Sequence, residues 1–165
     1  VLRKLTKYLK QADESTADQF TKVNPDPVLL VPPFRDAGSS VFTQILAVEG
    51  EGSLYAGSGE VSVAVIQKRV GANPFGSFIT VGRAINNDIV VNEANISKVH
   101  AYFLRDPAGN YLVRDAGSTN GTTINGNPVG TTNPVMLNSK DVIILGKRLA
   151  TTFLSPADFY AFLID

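Results

Sequence analysis

The chain has 165 residues, enough for one ordinary domain with an extension or for two very small ones. Hydrophobic residues make up 44% and charged residues 18%, which separates it from a disordered tail, and 15 basic against 15 acidic residues argue against a protein built to clamp nucleic acid or an anionic membrane. The absence of Cys removes disulfides, thiolate zinc sites and cysteine nucleophiles, and the single His removes any multi-histidine metal centre, so neither a metal nor a cofactor is expected.

In chain order, Leu2, Leu5, Leu9 and Ala12 recur at spacings of three and four, with Arg3, Lys4, Lys7 and Lys10 between them. That pattern predicts a short amphipathic helix with a basic outer face, docked on its own domain or part of a longer helix; the alternative is a helix that lies on a membrane surface or binds a partner. Asn24-Pro25-Asp26-Pro27 and Pro32-Pro33 then break any helix. Apolar runs such as Val28–Val31 and Val142–Leu145 are far shorter than the roughly 20 residues of a membrane helix. No secretory signal is visible, so with no disulfides a cytoplasmic location is expected.

From Val41 onward the apolar runs are short, rich in Val, Ile, Phe and Tyr, and bounded by Gly, Asn, Asp or Pro. Strands are predicted at Val41–Val48, Val61–Ile66, Phe78–Val81, Ile89–Val91, Val99–Leu104, Tyr111–Arg114 and Val142–Leu145. Val61, Val63 and Val65 alternate with Ser62, Ala64 and Ile66, the pattern of a half-buried strand. Recurrent Gly-containing turns give the rhythm of a β-sandwich or barrel. Ser155-Pro156-Ala157-Asp158 supplies an N-cap, a proline at the first helical position and a first-turn acid, so Phe159, Phe162 and Leu163 fall on a short C-terminal helix. The body is therefore all-β. Residues 1–55 read as an N-terminal extension of helix, Pro-rich segment and strands; 56–154 as the sandwich; 155–165 as the C-terminal helix.

Polar residues concentrate in the turns between Gly82 and Gly126. Arg83, Ser97-Lys98 and Thr119-Asn120 lie on three separate turns, and loops at one end of a sandwich converge although they are far apart in sequence. Together they offer a guanidinium fork, an ammonium, two hydroxyls and an amide, a set suited to a phosphate ester. Taken alone, each has a plainer explanation. Arg83 also fits a surface pair with Asp88, Ser97 and Thr119 fit turn or cap positions, and Lys98 fits a solvated charge. Asn125-Gly126 is best read as a hairpin turn.

Ile79-Thr80-Val81-Gly82-Arg83 with Asn87-Asp88-Ile89, then Ser97-Lys98-Val99-His100-Ala101, then Gly117-Ser118-Thr119-Asn120-Gly121-Thr122 and Asn125-Gly126, closely resembles the forkhead-associated (FHA) domain. Each piece is weak alone; in this order and at these intervals they form a specific set. The resemblance implies a twisted β-sandwich over about residues 60–154 whose loops at one end bind phosphothreonine peptides. By the same resemblance Arg83 and Ser97 hold the phosphate, Lys98 adds a contact, and Thr119 and Asn120 border the pocket and fix the peptide backbone. Gly82 and His100 fall at positions of structural support, the His bracing the loop that carries Ser97. Ala84 departs from the family's common serine after Gly-Arg.

Ser97 and His100 are three apart, but no nucleophile elbow or orienting acid accompanies them, and Gly146-Lys147-Arg148 lacks the rest of a P-loop. No enzyme is therefore expected. The reading is a phosphothreonine-dependent protein-binding module that recruits a partner marked by a Ser/Thr kinase, with no nucleic acid and no membrane span. The alternative is a phosphate-independent assembly module of the same fold; the sequence leaves the oligomeric state open.

Overall fold

A computed structural model of the chain describes residues 2–33 and 60–165. Among these residues two sheets face each other. One has seven strands: β1 (Arg3–Lys4), β2 (Val28–Val31), β3 (Ser62–Val65), β8 (Thr122–Ile124), β9 (Asn127–Pro128), β11 (Val142–Leu145) and β12 (Leu149–Leu154), in the order β1-β3-β2-β12-β11-β8-β9. The other has five: β4 (Ile79–Gly82), β5 (Ile89–Val90), β6 (Ala101–Arg105), β7 (Tyr111–Asp115) and β10 (Val135–Met136), in the order β10-β7-β6-β4-β5. All neighbouring strands are antiparallel except β4 and β5. The all-β sandwich with a helix near each end is as the sequence predicts.

Alternation along the strands builds the core between the sheets. Ala101, Phe103 and Val113 of the smaller sheet meet Leu29, Val31, Ala64, Ile143, Leu145 and Phe153 of the larger one, and all are buried. The other face of the larger sheet is not open to water. Helices α1 (Leu5–Asp13), α2 (Ala17–Val23) and α3 (Pro156–Ile164) cover it, and Leu5, Tyr8, Ala12, Phe20, Phe159 and Leu163 pack there against Val28, Leu30, Val63 and Leu154. Strand β2 is consequently buried on both faces, which is why its four residues are an unbroken apolar run rather than an alternating one.

This third layer corrects the expectation that β3 is half-buried. Val63 and Ala64 are both buried, because β3 is covered on both faces: Ala64 lies in the core between the sheets and Val63 under the helices. Val28–Val31, within the N-terminal extension, pairs with β12 and β3 inside the larger sheet, Leu29 opposite Phe153 and Ala64. The 55/56 boundary and the predicted strand Val41–Val48 lie outside the described residues.

The helices follow from their termini and faces. In α1 the buried stripe is Leu5, Tyr8 and Ala12, with Leu9 at its edge, while Arg3 and Lys4 form β1 against β3 rather than a first helical turn. Helix α2 begins with a capping box: the Thr16 hydroxyl accepts from the Gln19 amide and the Gln19 side chain accepts from the Thr16 amide. Helix α3 begins as predicted, with Ser155 accepting from the Asp158 amide and Pro156 in the first turn. Phe159 is the centre of the layer, its ring 5.2 Å from that of Tyr8 and 5.8 Å from that of Phe20, both edge-on. Phe159→Ala is expected to lower the free energy of unfolding by about 3–5 kcal/mol in urea denaturation, and a loss under about 1 kcal/mol would contradict this packing.

Candidate functional site

The site is made by the chain between strands: the β4–β5 loop with Arg83, the β5–β6 loop with Ser97 and Lys98, and the β7–β8 loop with Thr119 and Asn120. None of these loops has a ladder of its own, so their backbone groups satisfy one another. The Arg83 amide donates to the Ser97 carbonyl at 2.9 Å and the Ala84 amide to the Lys98 carbonyl at 3.1 Å. The approach is close enough to require glycine at position 82, where a Cβ would collide with the Lys98 carbonyl oxygen and lie 2.9 Å from Asn87 Nδ2. The buried Asn87 amide ties the same two loops again, donating to the carbonyls of Ala84 at 2.7 Å and Lys98 at 2.6 Å.

His100 joins the second loop to the third. It is fully buried; its Nδ1 accepts from the Ser97 amide at 3.1 Å, and its Nε2 lies 3.0 Å from the Gly121 carbonyl, to which it donates in the neutral tautomer that this network requires. The Ser97 hydroxyl oxygen accepts from the Thr119 amide at 3.0 Å, and Asn120 Nδ2 donates to the Asn95 carbonyl at 3.1 Å. Arg83 Nε donates to the Ile96 carbonyl at 3.1 Å, leaving both terminal nitrogens of the exposed guanidinium outside that bond.

Arg83, Ser97, Thr119 and Asn120 thus come together in one cluster of loops, with Gly82 and His100 buried beneath it. The Lys98 backbone belongs to the same mesh, and its side chain is exposed at the edge. Asp88 does not pair with Arg83. It is buried and accepts from Lys68 Nζ at 3.1 Å, from the Arg69 amide at 2.7 Å and from the Thr80 amide at 2.8 Å. Among the described residues neither Arg83 nor Lys98 is in an ion pair. Asn125-Gly126 is the β8–β9 turn, with Asn125 at φ 49° and Gly126 at φ 83°.

Sequence reasoning missed the residue that shapes the third loop. The Asp115 carboxylate accepts from the amides of Gly117 at 2.8 Å and Ser118 at 2.7 Å, and from the hydroxyls of Ser118 and Thr122, each at 2.7 Å. An Asp followed at two and three residues by Gly and Ser is the signal of such a turn. Burial pushes the Asp115 carboxyl up, but these hydrogen bonds outweigh it and hold the group below its usual range.

Residues 79–146 match the family model of the FHA domain. An FHA domain-containing protein of Arabidopsis thaliana is 41% identical over 73 residues, covering 44% of this chain and 19% of that protein. The oxoglutarate dehydrogenase inhibitor of Corynebacterium diphtheriae is 38% identical over 68 residues, covering 41% and 45%. The chain therefore spans less than half the length of either of these relatives. The solution structure of the FHA domain of an Arabidopsis thaliana hypothetical protein superposes with a TM-score of 0.50 at 26% identity, covering 81% of this chain and 87% of that one. Fold and loop cluster define a β-sandwich of two sheets with the FHA fold. Residues 79–146 of the chain are therefore similar to an FHA domain, and FHA domains are generally phosphothreonine-binding modules. Among the described residues no helix is long and apolar enough to cross a membrane.

Burial lowers the His100 pKa below its ordinary 6.5, outweighing the Gly121 bond and the Asp115 charge, which both favour protonation. A value lower in the folded than in the unfolded state gives a stabilising contribution that is complete above about pH 6.5 and is lost as pH falls through the folded value. His100 is the one histidine, and the carboxylates Asp88 and Asp115 lose theirs only below their ordinary 3.8. Thermal melts from pH 7.5 to 5.0 are expected to show a falling Tm in the wild type and a flatter profile in His100→Gln, which starts lower at pH 7.5. Parallel profiles would contradict a buried neutral imidazole.

Proposed function

We propose that this chain binds phosphothreonine in a protein partner marked by a Ser/Thr kinase, and so acts as a recruitment module in signalling on the cytoplasmic side. The observation that carries the reading is the uncompensated guanidinium of Arg83 set beside the Ser97 hydroxyl and the Thr119 amide, held there by bonds that do not use its terminal nitrogens. A phosphate carrying about −1.5 to −2 charge would take bidentate hydrogen bonds from Arg83, with Ser97 donating its hydroxyl proton to a further oxygen. Ser97 is free to do so because its oxygen accepts, rather than donates, in the bond from Thr119.

In this reading Lys98 adds charge at the edge, and Thr119 and Asn120 border the pocket and hold the peptide backbone. Gly82 and His100 act through the loops and touch no phosphate. Preference for phosphothreonine over phosphoserine would come from a recess for the threonine methyl, worth about 1–3 kcal/mol when well packed.

Fluorescence polarisation of a degenerate phosphothreonine library, with matched phosphoserine and unphosphorylated peptides, tests the assignment. The wild type is expected to bind the phosphothreonine set. Arg83→Ala is expected to lose at least about tenfold, since a hydrogen bond to a charged group is worth about 1.5–3 kcal/mol, at an unchanged Tm. Undiminished affinity in that variant would overturn the assignment. Binding indifferent to phosphorylation would favour the assembly reading instead.

A further inference from the structure

We propose that the tip of the β11–β12 hairpin, through Lys147 and Arg148, selects phosphopeptides that carry an acidic residue near the phosphothreonine. This inference rests on the phosphothreonine reading of the loop cluster and adds a specificity element to it.

The hairpin tip is built into the cluster. Gly146 donates its amide to the Gly121 carbonyl at 3.0 Å, and Gly121 is the residue that His100 also holds. A Cβ on Gly146 would collide with the Asn95 carbonyl oxygen and crowd Ile96 Cδ1 at 3.1 Å, so the tip lies directly on the Asn95-Ile96 dipeptide. The same dipeptide receives the other site groups: Asn120 Nδ2 donates to the Asn95 carbonyl and Arg83 Nε to the Ile96 carbonyl. Adjacent Cα atoms are about 3.8 Å apart, so the hairpin and the guanidinium meet the loop within about one residue of each other. A peptide bound at Arg83 would pass within reach of the two long cationic side chains that follow Gly146.

Three further observations support a role beyond a solvated turn. Leu145 and Leu149, paired across the base of the hairpin, are buried, so the tip is held firmly while Lys147 and Arg148 are exposed. Lys147 has φ 67°, a left-handed conformation that glycine or asparagine adopts at lower cost than lysine. Among the described residues neither cation is in an ion pair. Asp88 and Asp115, the buried acids of the site loops, are committed to their own hydrogen bonds, and Glu93 is the one carboxylate of the β5–β6 loop. Arg83, Lys98, Lys147 and Arg148 therefore form a cationic border in a chain whose formal net charge is zero. A doubly charged phosphate with an adjacent carboxylate is the ligand complementary to it.

The test uses phosphothreonine peptides of neutral sequence in which a single Asp is walked through each flanking position, beside the all-neutral parent. Polarisation is measured on the wild type, Lys147→Gly, Arg148→Gln and the double variant. In low salt the wild type is expected to favour at least one Asp peptide over the parent by about 2- to 5-fold, the range of a rim ion pair. The double variant should bind the Asp peptides no more tightly than the parent, and raised salt should erode the preference in the wild type. Lys147→Gly should melt no lower than the wild type, because glycine relieves the left-handed turn; a role confined to the turn would leave the Asp preference intact in this variant. No preference at any position, or a preference that survives the double variant, overturns the proposal while parent binding preserves the phosphothreonine reading. Failure of the folded wild type to bind any of the phosphopeptides overturns both.

Discussion

His100 accepts from the Ser97 amide at 3.1 Å, lies 3.0 Å from the Gly121 carbonyl, and through its own backbone donates to Val81 and accepts from Ala116. One buried ring and its peptide group thereby fix the end of β4, the β5–β6 loop and the β7–β8 loop relative to one another. Water cannot stand in for a fully buried imidazole without leaving polar groups unpaired, at about 1–3 kcal/mol each. The requirement is also chemical. Protonation at Nδ1 would replace an acceptor with a donor facing another donor, so the loop cluster depends on the ring remaining neutral.

Around that clamp the acids and bases are sorted by function. Asp88 and Asp115 are buried, and each is engaged by amide, hydroxyl or lysine donors. Their charge is spent inside the protein on shaping loops. The cations Arg83 and Lys98 are exposed and, among the described residues, unpaired. A chain with no net charge can in this way present a locally positive end, because what matters to an anion is the solvent-facing remainder after internal pairing. Composition alone hides this, since it counts a buried Asp115 equally with an exposed Arg83.

The parts of the structure legible in the sequence are those whose signal is local. The Ser155-Pro156 start of α3 is a side-chain-to-backbone contact three residues long, and it reads directly. The strands Ile79–Gly82, Tyr111–Asp115 and Val142–Leu145 lie between strong turn residues and read nearly as well. Helix α2 was not expected: it has seven residues and one buried side chain, Phe20, so no periodicity develops, although the Thr16/Gln19 capping box was present to be read. Strand β12 mixes Ala150 and Thr151 among its apolar residues; both are buried, and Thr151 is accommodated by its bond to the Ile143 carbonyl. At the site, Arg83, Ser97, Thr119 and Asn120 stood out through their ordered motifs, whereas Asp115 and Gly146 did not. Their importance lies in tertiary distances that no spacing in the chain encodes.

The two sheets and the site are one mechanical object because of Ile96. Its side chain is buried in the core between the sheets, its carbonyl accepts from Arg83 Nε, and its Cδ1 lies beside Gly146. Arg83 leaves the smaller sheet at the end of β4, and Gly146 belongs to the larger sheet, so the spacing between the sheets sets the distance between the guanidinium and the hairpin. The larger sheet is in turn gripped on its outer face by α1, α2 and α3, which bury Val28, Leu30, Val63 and Leu154 and leave β2 no exposed face. A close-packed interior resists deformation, so each layer transmits the position of the next. The helical layer thereby keeps the sheet that carries the hairpin, and with it the loop cluster, in place.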